Sequence, residues 1–185
     1  MNECAAVLEK ATKQTDVLSN ELVAALQAVE KSNRDSYELN DLVGAWRLHF
    51  ITGTKKTRKK AGVALGPGRY IPKLVKIQLK YQVSNDDQGI VENAVALGAL
   101  QLALTGPIKF WSKARCLAFD FTQIQITLGK LTLYQGRIKP EAADQEFYDQ
   151  SLKEQAFFKY FWVTKQGIAA RGRGGGLALW SRADA

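Results

Sequence analysis

Lys76-Ile77-Gln78-Leu79-Lys80-Tyr81-Gln82-Val83 alternates without a fault, apolar side chains on the odd positions and Lys or Gln on the even ones. A period of two sends successive side chains to opposite faces of an extended chain, so this stretch reads as a strand with one buried and one wet face. Upstream, Trp46-Arg47-Leu48-His49-Phe50 repeats the pattern with its apolar residues on even positions. Downstream, Ser84-Asn85-Asp86-Asp87-Gln88-Gly89 supplies turn chemistry, and short apolar runs follow at Ile90 to Leu97 and Leu100 to Leu104, bounded by Gly98 and Gly106-Pro107. Leu117, Phe119 and Phe121 share one parity and Ile124, Ile126 and Leu128 the other, which predicts a bulge or bend near Thr122-Gln123. Residues 137–155 are polar, carry Pro140 and read as a connection. The aromatic run Phe157 to Val163 and a last strand, Leu177 to Trp180, complete the series. Many short strands with turns between them predict a mainly β fold, an antiparallel sheet closed into a barrel, in preference to a βαβ arrangement.

The first forty residues differ. Leu8, Ala11, Thr15, Leu18, Leu22, Leu26 and Val29 fall at steps of three and four, the face of one amphipathic helix over residues 5–30. Ser32 to Ser36 then break the period, so the organisation expected is a helix and connector over 1–36 belonging to the same unit as a barrel over 37–185. A chain of 185 residues with 46% hydrophobic and 24% charged side chains suits one globular core, and no apolar run is long enough for a spanning helix. The N-terminus lacks secretory-signal features; the protein is expected to act where it is made or after removal of a targeting segment. Cys4 and Cys116 predict free thiols, not a disulfide framework or a zinc site.

The net charge of +8 is uneven. Residues 1–41 hold four Lys/Arg against eight Asp/Glu, whereas residues 53–80 hold nine basic residues and no acid. Lys55, Lys56, Arg58, Lys59 and Lys60, with Arg69, adjoin the apolar Gly62 to Gly68 segment and Tyr70-Ile71-Pro72. Such a stretch is a solvated loop or a contact for an anionic membrane surface, where each Lys/Arg contributes about 1 kcal/mol.

Catalytic motifs are absent. His49 is the only histidine, lies on the polar parity of its strand and has no nucleophile motif beside it. Asp86-Asp87 reads as a solvated turn, and Asp120, opposite in parity to Phe119 and Phe121, is expected to face outward. Arg171-Gly172-Arg173-Gly174-Gly175-Gly176 is not followed by Lys-Ser/Thr or by a helix, which removes a phosphate-cradling loop and leaves a Gly-rich turn at a barrel corner. No enzyme activity and no cofactor are expected.

Leu42-Val43-Gly44-Ala45-Trp46-Arg47-Leu48 is similar to the Gly-x-Trp opening strand of lipocalin-like barrels. Tyr81-Gln82, Arg115 to Phe119, Phe157 to Val163, and Arg171-Gly172 leading through glycines to Leu177-Ala178-Leu179-Trp180 resemble, in that order, the plastid lipid-associated protein (fibrillin) domain, over residues 16–182. The resemblance implies a cyanobacterial or plastid protein, peripheral to thylakoids or lipid globules, that binds or organises a quinone, carotenoid or glycerolipid. It also implies that Gly44 and Trp46 close one barrel end, with Arg171 or Arg182 stacked on the indole. Val163 to Ile168 lacks the acidic residues the family carries there, so a role resting on them is not implied.

By parity the ligand wall is expected to comprise Trp46, Leu48, Phe50, Phe119, Phe121, Phe158, Tyr160 and Trp162; the alternative for all of them is a filled core. The expected partners are an apolar lipid or isoprenoid and an anionic membrane, in a monomer, with no nucleic acid. Two other readings remain: a bilin lyase on a lipocalin-like barrel, and a nucleic-acid binder using the basic loop.

Overall fold

The computed structural model describes residues 3–32, 36–53 and 68–183. Two helices, α1 (Glu3–Lys13) and α2 (Ser19–Ser32), stand where one long helix is expected. The interruption falls on Gln14-Thr15-Asp16, where Thr and Asp are poorer helix formers than the residues around them. Lys10 Nζ binds Asp16 Oδ2 at 3.0 Å across the break, Val17 turns inward, and Leu18 is left 66% exposed.

A 3₁₀ turn at Leu39–Leu42 leads into β1 (Gly44–Ile51), and β2 (Arg69–Tyr70) pairs with the end of β1. Then come β3 (Val75–Val83), β4 (Gln88–Leu97), β5 (Leu100–Trp111), β6 (Cys116–Phe119), β7 (Gln123–Leu128) and β8 (Leu131–Arg137). A short helix, α3 (Ala142–Asp149), occupies the polar connection, and β9 (Ala156–Val163), β10 (Gly167–Gly172) and β11 (Leu177–Arg182) end the fold. Pairing runs β4-β3-β1-β11-β10-β9-β6-β5, and β5 pairs again with β4. The eight strands therefore close an antiparallel barrel.

One strand serves two neighbours. Ile108 to Trp111 of β5 pair with β6, whereas Leu100 to Thr105 pair with β7. The switch falls on Gly106-Pro107, where a strand end is expected from the sequence and β5 instead runs through. Proline has no N–H to donate there, and a Cβ on Gly106 would lie 2.2 Å from the Asp120 carbonyl oxygen. The expected bend is present at residues 120–122, between β6 and β7. Beyond it, β7 and β8 leave the barrel wall and extend a five-stranded sheet, β3-β4-β5-β7-β8, past the closed part.

The apolar residues form two compartments. Inside the barrel pack Leu39, Leu42, Trp46, Tyr81, Leu117, Tyr160, Ile168 and Trp180. Outside it, Leu8, Leu22, Leu26 and Val29 of the helices cover Phe50, Phe161, Trp162, Ala169 and Leu179.

Candidate functional site: an apolar mouth above a filled barrel floor

At the end of the barrel where β1 begins, the interior is solid. Trp46, Tyr81, Tyr160 and Trp180 are each at most 2% exposed. Trp46 donates from Nε1 to the Leu42 carbonyl at 2.7 Å, and Tyr81 and Tyr160 share a buried hydroxyl–hydroxyl bond of 2.8 Å. Burial raises both phenols far above the ordinary tyrosine range, so both stay neutral. Arg182 seals this end. Its guanidinium lies 4.7 Å from the Trp46 ring centroid and donates to the Val43 carbonyl at 2.8 Å. A Cβ on Gly44, whose φ is +117°, would meet that guanidinium at 2.5 Å, which accounts for glycine in Gly-x-Trp. Arg171 does not share this position. It stands on β10 and binds Glu30 of α2, Nε to Oε1 at 2.6 Å, joining helix to barrel.

Two of the residues expected in the ligand wall lie on the other side of it. The ladder between β1 and β11 shifts between Leu48 and Phe50, so Leu48 points inward and Phe50 lies under the helices. A second shift between Ala169 and Ala170 leaves Tyr160 inside and puts Trp162 beneath α1 and α2. Each bulge adds one residue and inverts the parity beyond it.

Toward the opposite end the inward side chains are less completely buried. An aromatic series rises from the floor: Tyr160 and Trp180 at 6.2 Å, Trp180 and Phe158 at 5.4 Å, Phe158 stacked on Phe119 at 4.9 Å, then Phe121 at 5.5 Å from Phe119. Phe158, Phe119 and Phe121 are only partly buried. The inward face continues from here onto the overhanging sheet. Direct cross-strand partners share a face, so the register defines its rows. Leu79, Asn93, Leu104 and Ile124 form one; Ile77, Val95, Leu102, Ile126 and Tyr134 the next; Val75, Leu97, Leu100, Leu128 and Leu131 the rim. The reverse face of the same strands carries Lys76, Gln78, Gln101, Gln125, Thr127 and Gln135.

At the rim Leu97, Leu100, Leu128 and Leu131 are 59%, 46%, 48% and 63% exposed. They flank two adjacent hairpin tips, Gly98-Ala99 and Gly129-Lys130, tied by the Gly129 N–H donating to the Ala99 carbonyl at 2.8 Å. Besides the exposed Tyr134 phenol on the outermost strand, these rows hold one polar side chain, Asn93, whose buried Oδ1 has no hydrogen-bond partner among the described residues. Sequence reasoning finds the alternation that makes this surface but not its exposure, which depends on the bend after β6 that carries β7 away from the β6–β9 pairing.

The remaining expected residues are placed as follows. Asp120 faces outward and binds Lys139 Nζ at 2.5 Å. The Gly172 to Gly176 segment is a turn, closed by the Gly172 N–H donating to the Gly176 carbonyl at 2.9 Å. Arg69 is exposed beside the mouth, on β2. Lys55, Lys56, Arg58, Lys59 and Lys60 lie outside the described residues. Cys4 and Cys116 are free thiols, and no group of three or more His, Cys, Asp or Glu among the described residues is arranged to hold a metal. No described helix is long and apolar enough to cross a membrane.

No family model and no curated protein matches this chain. Solved structures similar to it include a redesigned β-barrel, 8% identical with a TM-score of 0.39 over 80% of this chain and 97% of that one. Another is the redesigned β-barrel mFAP1 bound to DFHBI, 9% identical with a TM-score of 0.36 over 80% of this chain and all (100%) of that one. At this level of likeness neither a ligand nor a family carries over.

Proposed function

We propose that this protein is a non-catalytic carrier or organiser of an apolar lipid or isoprenoid, held in the mouth above the filled barrel floor. The observation that carries the reading is the overhanging sheet, apolar on the face that continues the barrel interior and polar on its reverse. A partly exposed apolar face with an exposed leucine rim costs solubility unless something covers it. A hydrocarbon chain laid along it gains about 0.8 kcal/mol for each methylene removed from water. The open Asn93 Oδ1 accepts one hydrogen bond, which suits a hydroxyl at the end of a long chain, as on a quinol, a hydroxylated carotenoid or a partial glyceride. The resemblance to plastid lipid-associated proteins points to the same ligand classes and to the surface of a photosynthetic membrane.

The rim also supports membrane docking. Residues 68–83, 97–105 and 123–137 contain no acidic side chain, while Arg69, Lys73, Lys76 and Lys130 belong to them. Gly53 and Gly68, which bracket the basic stretch, stand at this same end, next to the pairing of Ile51 with Arg69. Leucines at two hairpin tips with cations beside them suit insertion into an anionic leaflet.

The test is mass spectrometry of organic extracts from natively purified protein, followed by delivery of a long-chain quinone or a glycerolipid to stripped protein. Retention of one ligand class near stoichiometric amounts is the expected result. Protein that carries no lipid and takes up neither compound is not a lipid carrier. Asn93→Leu is expected to weaken the head-group-bearing ligand several-fold, the scale of one hydrogen bond of about 1 kcal/mol, and to leave a plain hydrocarbon unaffected.

A further inference from the structure

On the outer side of β1, opposite the mouth face, a groove of ≈ 630 Å³ runs between α1, β3 and β11. Lys13, Arg47, Lys76 and Arg182 line it together with His49 and Ser181, and no acidic residue does. A second depression shares Lys13, Arg47 and His49 with the first and adds Lys73, again without a carboxylate. Among the described residues none of these cations has an acidic partner. The ion pairs there are Lys10–Asp16, Arg137–Asp144, Lys139–Asp120 and Arg171–Glu30.

Such a grouping is unfavourable when empty. Like charges facing one another across a concave, partly desolvated site repel, and the walls focus their field. Arg47 makes one long bond, Nη2 to the Lys73 carbonyl at 3.4 Å, and its other N–H groups have no partner among the described residues. Arg182 stands at the end of the groove, its guanidinium on Trp46 and the Val43 carbonyl. Beneath these cations His49 Nε2 and Ser181 Oγ are 2.8 Å apart, a neutral donor–acceptor pair. Guanidinium, ammonium and hydroxyl donors converging without a competing carboxylate match a tetrahedral oxyanion, which accepts at several oxygens at once.

The geometry points to a phosphate-ester site in this groove. Arg47, Lys13 and Lys76 hold the phosphate oxygens, and the His49–Ser181 pair lies beneath them. The phosphate belongs to a small soluble ester or to the head group of an anionic lipid. The site is separate from the apolar mouth and does not depend on it, because Arg47 and His49 point away from the interior that Trp46 and Leu48 face. His49 is held below the ordinary histidine range by burial and then by Arg47; a bound anion offsets the Arg47 charge and moves it back up.

His49 is the only histidine in the chain, so its ring-proton signal reports on the site without mutation. The experiment titrates that signal with pH in the intact protein, with glycerol phosphate and with sodium chloride at matched ionic strength. It is repeated with phosphatidic acid in phosphatidylcholine bicelles and with the same bicelles lacking it. The site is supported by a saturable rise in the His49 pKa with glycerol phosphate that chloride does not produce. Lys76→Gln and Lys13→Gln, on the polar surface, are each expected to weaken that response about five-fold without lowering the melting temperature, since each relieves repulsion in the empty groove. A rise seen only with phosphatidic acid also supports it and assigns the groove to a lipid head group. An unchanged titration in every case, or an equal response to chloride, overturns the proposal.

Discussion

Trp46 illustrates how one residue fixes one end of the barrel. Its ring is fully buried, its N–H is spent on Leu42, and Arg182 covers its outer face. Replacing it with alanine is expected to cost about 3–5 kcal/mol, read as a lower denaturant midpoint at unchanged slope. Gly44→Ala is expected to cost less, about 1–3 kcal/mol, because it forces a side chain into a left-handed φ and pushes the guanidinium off the indole. The Gly-x-Trp pattern was legible in the sequence; which arginine answers it was not. Arg171 and Arg182 are equally plausible until the register sets Trp46 opposite Arg182. His49 makes a prediction of opposite character. Its folded pKa lies below its unfolded value, so the unfolded chain binds the proton more readily. The stability linked to neutral His49 is therefore complete above about pH 6.5 and is lost as pH falls through that value toward the folded pKa. His49→Gln is expected to remove that part of the pH dependence of the melting temperature.

Among the elements, the paired hairpin tips of β4–β5 and β7–β8 carry the membrane half of the proposal. Each rim leucine is about half exposed and has roughly 1 kcal/mol to gain by leaving water. Changing Leu97, Leu100, Leu128 and Leu131 together to serine is expected to lower co-flotation with anionic vesicles at least a hundred-fold. The melting temperature should change little, since the side chains support no packed core. Equal flotation of this variant and the parent would place the membrane contact elsewhere. Strand existence was readable from alternation, most clearly in β3, and the bend between β6 and β7 from its change of parity. The side of the wall on which Phe50 and Trp162 fall was not. A bulge leaves no mark in a run such as Phe157 to Val163, where both parities are apolar because one face meets the interior and the other meets the helices.

At the scale of the whole molecule, the protein separates two tasks that a small barrel often combines. The floor and the helix layer bury the aromatic mass that holds the fold, while the overhang keeps an apolar surface open. Expecting a ligand around Trp46 and Tyr160 follows from parity alone. The structure puts packed core there and moves the accessible apolar surface up to Phe119, Phe121 and the leucine rows. No composition or spacing rule reveals how far five strands continue past the point of closure. The most direct test of the mouth as the lipid site is paramagnetic broadening of assigned methyl signals by a spin-labelled fatty acid. Broadening is predicted for Leu102, Leu104, Ile124 and Ile126 on the inner face of the overhang. Ala94 and Ala103 on its reverse should broaden less, and Leu22 and Leu26 under the helices should be spared. Broadening centred on the helix layer or the reverse face, or none at all, would contradict the account.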